Sequence, residues 1–235
     1  MNLDWLTAKP IAHRGLHDMN VTRFENTLSA FEAACIAGYA IECDVVLSAD
    51  GLPMVFHDLT LERLTSETGV VIAFNSEDLS KMQIGGTADC IPTLAEALAV
   101  VAGRVPIVIE LKGHSENDVR LVAAVTKVLE GYRGHAAIMS FDHWLIRRFQ
   151  FDAPGIPAGL TAEGTKASDI EQHFAMLSAN LSFVSFNVHH LPNRFVSFCR
   201  EKLAMPVITW TVRNPETVSL TKAHADQMTF EGFAP

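Results

Sequence analysis

Three short segments of this chain carry ionisable side chains on apolar runs: Ile11-Ala12-His13-Arg14-Gly15, Ile41-Glu42-Cys43-Asp44-Val45 and Val55-Phe56-His57-Asp58. Apolar runs bounded by Pro and Gly read as buried strands. Charged groups delivered by such strands must pair or bind a metal, because burying them alone is costly. Two histidines, two carboxylates and an arginine point to acid–base chemistry on a phosphate held by a hard divalent cation.

Glu42 and Asp44 are two apart, so a strand turns both to one side and Cys43 to the other. Glu110 and Lys112 repeat the arrangement after Ile107-Val108-Ile109. Three inward carboxylates near strand ends repel one another unless a cation sits among them. Oxygen ligands favour Mg²⁺ or Ca²⁺ over zinc. One inward carboxylate alone has a plain structural alternative, such as Glu110 paired with Lys112. The set Glu42, Asp44 and Glu110 favours metal.

His13 and His57 each end a strand and are the expected acid–base pair; which is acid and which is base stays open. The chain has ten histidines. His17, His135, His143, His173 and His224 read as packing or surface residues, and His189-His190 as a solvent-exposed loop. Arg14 can grip two phosphate oxygens and Lys112 can add a second positive charge. Asp58 is expected to orient His57 or to cap the following loop. Glu25 and Asn26 precede the first helix and are expected to support the site, N-capping being the simpler role for Asn26. Trp210, near a late strand end, is expected in the wall of the substrate pocket.

Strand candidates at 10–14, 40–46, 53–57, 106–111, 136–141, 157–161, 183–187, 206–211 and 226–229 alternate with helical stretches. The helices are expected at 26–37, 93–102, 116–130, 142–151, 168–177, 192–203 and 214–223. Thr93-Leu94-Ala95-Glu96 is a capping box. Asp50-Gly51 leaves room only for a hairpin, and folding there sets Asp44 opposite His57. Strand 53–57 is then an antiparallel extra, and eight parallel candidates imply a closed α/β barrel. No Gly-x-Gly-x-x-Gly follows the first strand, which argues against a doubly wound sheet. Segment 58–92, with one short helix near 75–82, reads as an insertion over the barrel mouth within a single domain, 1–235.

With 235 residues, 49% of them hydrophobic, the chain can fill one large core. A formal charge of -9 disfavours nucleic acid. No apolar stretch reaches the length of a membrane span. The first residues lack a basic region followed by an apolar one, and the four scattered cysteines have no zinc or redox spacing. A cytoplasmic protein with reduced thiols is expected. Oligomeric state is not readable.

The ordered set of motifs resembles the glycerophosphodiester phosphodiesterase family. It comprises His13-Arg14-Gly15, Glu25-Asn26-Thr27, Gly38, Glu42-x-Asp44, Asp50-Gly51, His57-Asp58, Leu61-x-Arg63-x-Thr65, Gly69, Ile91-Pro92-Thr93-Leu94, Glu110-x-Lys112, Ser140-Phe141-Asp142 and Trp210-Thr211-Val212. The resemblance implies a distorted (β/α)₈ barrel with an insertion after the His-Asp pair. It implies a divalent metal on Glu42, Asp44 and Glu110, catalysis by His13 and His57, and hydrolysis of a small glycerophosphodiester to glycerol 3-phosphate and an alcohol. Two departures lie near the expected pocket rim: Arg213 follows Trp-Thr-Val, and the last strand ends Thr229-Phe230-Glu231-Gly232.

Three rivals share parts of this pattern. A lysophospholipase D-like or lyase activity on lysolipids needs an apolar groove, for which Val70, Val71, Ile72 and Phe74 are candidates. An inactive barrel that binds phosphate ligands needs no turnover. An amidohydrolase-type barrel expects His-x-His on its first strand, where this chain has His13-Arg14-Gly15.

Overall fold

The runs rich in Val and Ile are strands in the computed structural model, which describes residues 2–113 and 119–235. They are β1 (Ile11–Ala12), β2 (Ala40–Leu47), β3 (Pro53–Val55), β4 (Ile107–Leu111), β5 (Ala136–Ser140), β6 (Ala158–Ala162), β7 (Phe183–Asn187), β8 (Val207–Val212) and β9 (Gln227–Phe230). All except β3 pair in parallel, in the order β1-β2-β4-β5-β6-β7-β8-β9. β9 pairs back onto β1, Ala12 opposite Phe230, and closes the barrel. This is the expected (β/α)₈ architecture. It is distorted: β1 has only two residues, and the β8–β9 pairing shifts register between Thr209 and Val212.

The helices are α1 (Asp4–Thr7), α2 (Leu28–Ala37), α3 (Ser76–Leu79), α4 (Leu94–Val101), α5 (Val119–Leu129), α6 (His143–Asp152), α7 (Ala167–Met176), α8 (Arg194–Leu203) and α9 (Pro215–His224). The expected helix at 116–130 begins outside the described residues, since 114–118 are not among them. Local chemistry explains the ends. Thr93 and Glu96 form the capping box of α4, and Gly38 ends α2 at φ 74, a left-handed conformation that costs glycine little. Among the described residues, no helix is long and apolar enough to cross a membrane.

Alternation along each strand divides the side chains. Ile41, Cys43, Ile107, Ile109, Leu160, Val184 and Phe186 face the helices in the main core. Ile11, Ala40, Val108, Ala137, Phe183 and Ile208 fill the lower interior, where Leu3 and Leu6, flanking and within α1, plug the bottom. Above that apolar layer the same inward phase carries Glu42, Asp44 and Glu110. The strands therefore end their inward rows on charge at the carboxyl end, where barrel enzymes build their sites.

The hairpin differs from expectation. Val45 pairs with Val55 and Leu47 with Pro53, so Asp44 stands opposite Phe56, not His57. The Phe56 N–H donates to the Asp44 carbonyl at 3.1 Å. The reason is the turn: Ser48 and Leu52 close a loop with Asp50 at its centre, which shifts the register by one. His57 lies just past the strand. Residues 58–92 pack Leu61, Leu64, Val71, Leu79, Ile84 and Ile91 into a separate small core on Val46, Met54 and Phe56.

Candidate active site

Glu42 and Asp44 on β2 and Glu110 on β4 are brought together by a register that pairs Asp44 with Glu110. One carboxylate oxygen from each lies within 4.8 Å of the others. All three are buried. Glu42 Oε1 is buried with no hydrogen-bond partner. A buried, undonated carboxylate oxygen beside two further carboxylates fits a hard cation.

The electrostatics agree. Burial, then the charges of Asp44 and Glu110, push Glu42 well above the ordinary carboxylate range. Glu110 is pushed up to about 7 by burial, with Lys112 pulling the other way and Asp44 adding to the rise. Burial also opposes charge on Asp44, but Lys112 at 3.2 Å and Arg14 at 3.1 Å hold it well below the ordinary range. Three like charges cannot ionise together in so small a space without added positive charge.

Arg14 sits at φ 56, a left-handed conformation that strains a residue with a Cβ. The strained turn aims its backbone N–H at Glu42 Oε2, 3.0 Å away, and its guanidinium at Asp44 and Glu25. Lys112 Nζ bridges Glu110 and Asp44. Asn26 is fully buried and donates to Asp44 Oδ2 at 2.9 Å. It does not cap α2: Thr27 does, by accepting from the Ala30 N–H. Asn26, at φ 56, turns inward one residue too early to cap and instead orients Asp44.

The two histidines differ. His57 Nδ1 lies 2.6 Å from Asp58 Oδ1, and Asp58 is gripped by Arg63 Nε at 2.5 Å. Arg63 also donates to Glu25, which holds Arg14, so one chain of charges links His57 to Arg14. His13 is more deeply set. Its Nδ1 lies 2.5 Å from Glu231 Oε2, and its Nε2 faces Glu42 Oε2 at 4.0 Å. Burial pushes the His13 imidazole below its ordinary 6.5, with the Glu231 hydrogen bond pulling upward.

His13, Arg14, Glu42, Asp44, His57 and Glu110 line one cavity of about 220 Å³, with Lys112 and Trp210. The Trp210 indole donates to the Ser185 carbonyl at 3.2 Å and meets Phe141 edge-on, which makes it a rigid wall. His189 is exposed and lines the same mouth. Residues the sequence reading passed over also belong here. Arg63 stands in Leu61-x-Arg63-x-Thr65, where no neighbour in sequence announces its bond to Glu25. Arg213 and Glu231 were visible only as departures. His17, read as packing, has Nε2 at 3.6 Å from Glu231 Oε2.

Comparison with known proteins gives the family. The model of the glycerophosphoryl diester phosphodiesterase family matches residues 13–231. A glycerophosphodiester phosphodiesterase from Caldanaerobacter subterraneus is 30% identical over 229 residues, covering 92% of this chain and 90% of its own. The chain belongs to the glycerophosphoryl diester phosphodiesterase family, a family of hydrolytic enzymes. Among solved structures, an Oleispira antarctica phosphodiesterase in complex with the product sn-glycerol-3-phosphate superposes with a TM-score of 0.82 at 23% identity, covering 97% and 94% of the two chains. A Thermotoga maritima glycerophosphodiester phosphodiesterase gives 0.77 at 24% identity over 94% and 92%. At these identities the two structures speak for the fold.

Proposed function

We propose that this chain hydrolyses small glycerophosphodiesters to glycerol 3-phosphate and an alcohol, with Mg²⁺ or Ca²⁺ held by Glu42, Asp44 and Glu110. The observation that carries this reading is the single cavity lined by both imidazoles, the three carboxylates, Arg14 and Lys112. A divalent cation bound there supplies Lewis-acid neutralisation of phosphate oxygens. Arg14 and Lys112 take up the negative charge that grows on those oxygens in the transition state. One imidazole removes the proton from the nucleophile, water or the neighbouring glycerol hydroxyl, as its oxygen bonds to phosphorus. The other imidazole gives a proton to the departing alkoxide as the second P–O bond breaks. Asp58 keeps the His57 ring oriented, and Asn26 does the same for Asp44.

The glycerol portion of the substrate rests on family membership and on the product found in the Oleispira antarctica structure. The lysolipid alternative has weaker support. Val71 is buried, Phe74 packs into the core of the insertion, and neither lines the cavity. All four cysteines are free, which supports a reducing, cytoplasmic setting.

The test is turnover of glycerophosphocholine against lysophosphatidylcholine, with Mg²⁺, Ca²⁺ or a chelator. Glycerol 3-phosphate and choline should appear with a cation, cease with the chelator and return on re-addition. Preference for the lysolipid moves the assignment to a phospholipase. Silence on every diester across several metals leaves a phosphate-binding barrel.

A further inference from the structure

The geometry points to Glu231 as a positioning residue that fixes the tautomer of His13 and aims its second nitrogen at the substrate. This inference rests on the role proposed for His13 and goes beyond it by naming what makes that ring competent.

Barrel closure creates the contact. Ala12 on β1 pairs with Phe230 on β9, and the His13 N–H donates to the Phe230 carbonyl at 2.9 Å. The next residue on each strand, His13 and Glu231, therefore comes side by side. The Glu231 N–H donates to the Val212 carbonyl at 3.1 Å, which anchors the turn that carries the carboxylate.

Glu231 is held by two partners, with the His17 ring close by. Oε1 accepts from Arg213 Nε at 2.7 Å, and Arg213 Nη2 lies at 2.7 Å from the same oxygen. Oε2 faces His13 Nδ1 at 2.5 Å and His17 Nε2 at 3.6 Å. His17 Nδ1 accepts the Met19 N–H at 3.1 Å, so in neutral His17 the proton sits on Nε2, the nitrogen nearer the carboxylate. Burial works against charge on Glu231, yet the contacts with His13 and His17 and the Arg213 hydrogen bond hold its carboxyl well below the ordinary range, so it is an anion. An anion only accepts, so His13 Nδ1 must carry the proton. Neutral His13 then has its lone pair on Nε2, the nitrogen that faces Glu42 and the cavity. That is the form required to take a proton from the nucleophile, and the imidazolium formed afterwards is stabilised by the same carboxylate. Arg213 and Glu231, which lie in the two departures noted at the pocket rim, are thus partners of each other, and Glu231 in turn is the partner of His13.

The Glu231→Gln variant tests this directly. Arg213 has only donors and claims the amide oxygen, which turns the amide NH₂ towards His13 Nδ1. The ring must then accept there and carry its proton on Nε2, the wrong tautomer for a base. With glycerophosphocholine and Mg²⁺, kcat should fall roughly 10- to 100-fold while KM stays within about a factor of two. Long-range ¹H–¹⁵N spectra of histidine-labelled protein, with the His13 signals assigned by their loss in His13→Ala, should show Nδ1–H in the wild type and Nε2–H in Glu231→Gln. A wild-type His13 ring protonated on Nε2, a reading that does not depend on how Glu231→Gln folds, overturns the inference. So does wild-type kcat in Glu231→Gln. A fully active His13→Ala instead removes the underlying role of His13, which separates the two failures.

Discussion

Each imidazole has its own carboxylate, and the two pairs are built differently. Asp58 is adjacent in sequence to His57, whereas Glu231 is 218 positions from His13. His13→Ala and His57→Ala should each lower kcat by about 10²- to 10⁴-fold. Mg²⁺ affinity measured by calorimetry should persist in both, because the three carboxylates remain. Near-normal turnover in either variant removes that histidine from the chemistry.

At the scale of elements, the contacts between neighbouring strands set what each position tolerates. A Cβ at Gly159 on β6 would stand 2.4 Å from the Phe183 ring on β7. That ring is fully buried in the lower interior. Gly159→Ala should therefore cost about 1–3 kcal/mol in urea unfolding, the range for overpacked cores. The loop after β1 and the insertion are clasped by Glu25 between Arg14 and Arg63. Burial works against the charge on Glu25, yet the Arg63 hydrogen bonds and the Arg14 charge hold it down at about 2, from an ordinary 4.5. A lowered folded-state value stabilises above the unfolded value and is lost as pH falls through the folded one. The clasp should thus contribute on the order of 3 kcal/mol near neutrality and lose it between about pH 4.5 and about pH 2. The stability gap between wild type and Glu25→Gln, followed by denaturant titration, should close across that window. A gap independent of pH contradicts the clasp.

For the whole molecule, three buried carboxylates that converge are a store of repulsion that a bound cation would relieve. A ligand that binds only the folded state at about 100 times its Kd adds about 2.7 kcal/mol, roughly 5–10 °C in Tm for a chain of this size. Mg²⁺ or Ca²⁺ should raise Tm by that order, and Asp44→Asn should remove most of the shift. An unchanged Tm in the wild type counts against a cation at this cluster.

The inward spacing of Glu42 and Asp44, the histidine that follows β1, the capping box at Thr93 and the alternation that gives eight parallel strands were all readable from the chain, because they rest on patterns among near neighbours. The tertiary structure alone decided the rest. A one-residue change in turn length moved His57 away from the position opposite Asp44, and a left-handed backbone at Asn26 decided between its two expected roles, support of the site and a helix cap, in favour of a bond to Asp44. Arg63 found Glu25 only when the insertion folded back, and Glu231 found His13 only when the last strand met the first. Local patterns reach as far as a turn of helix or a pair of strands, whereas these contacts join parts of the chain that only barrel closure brings within hydrogen-bond range.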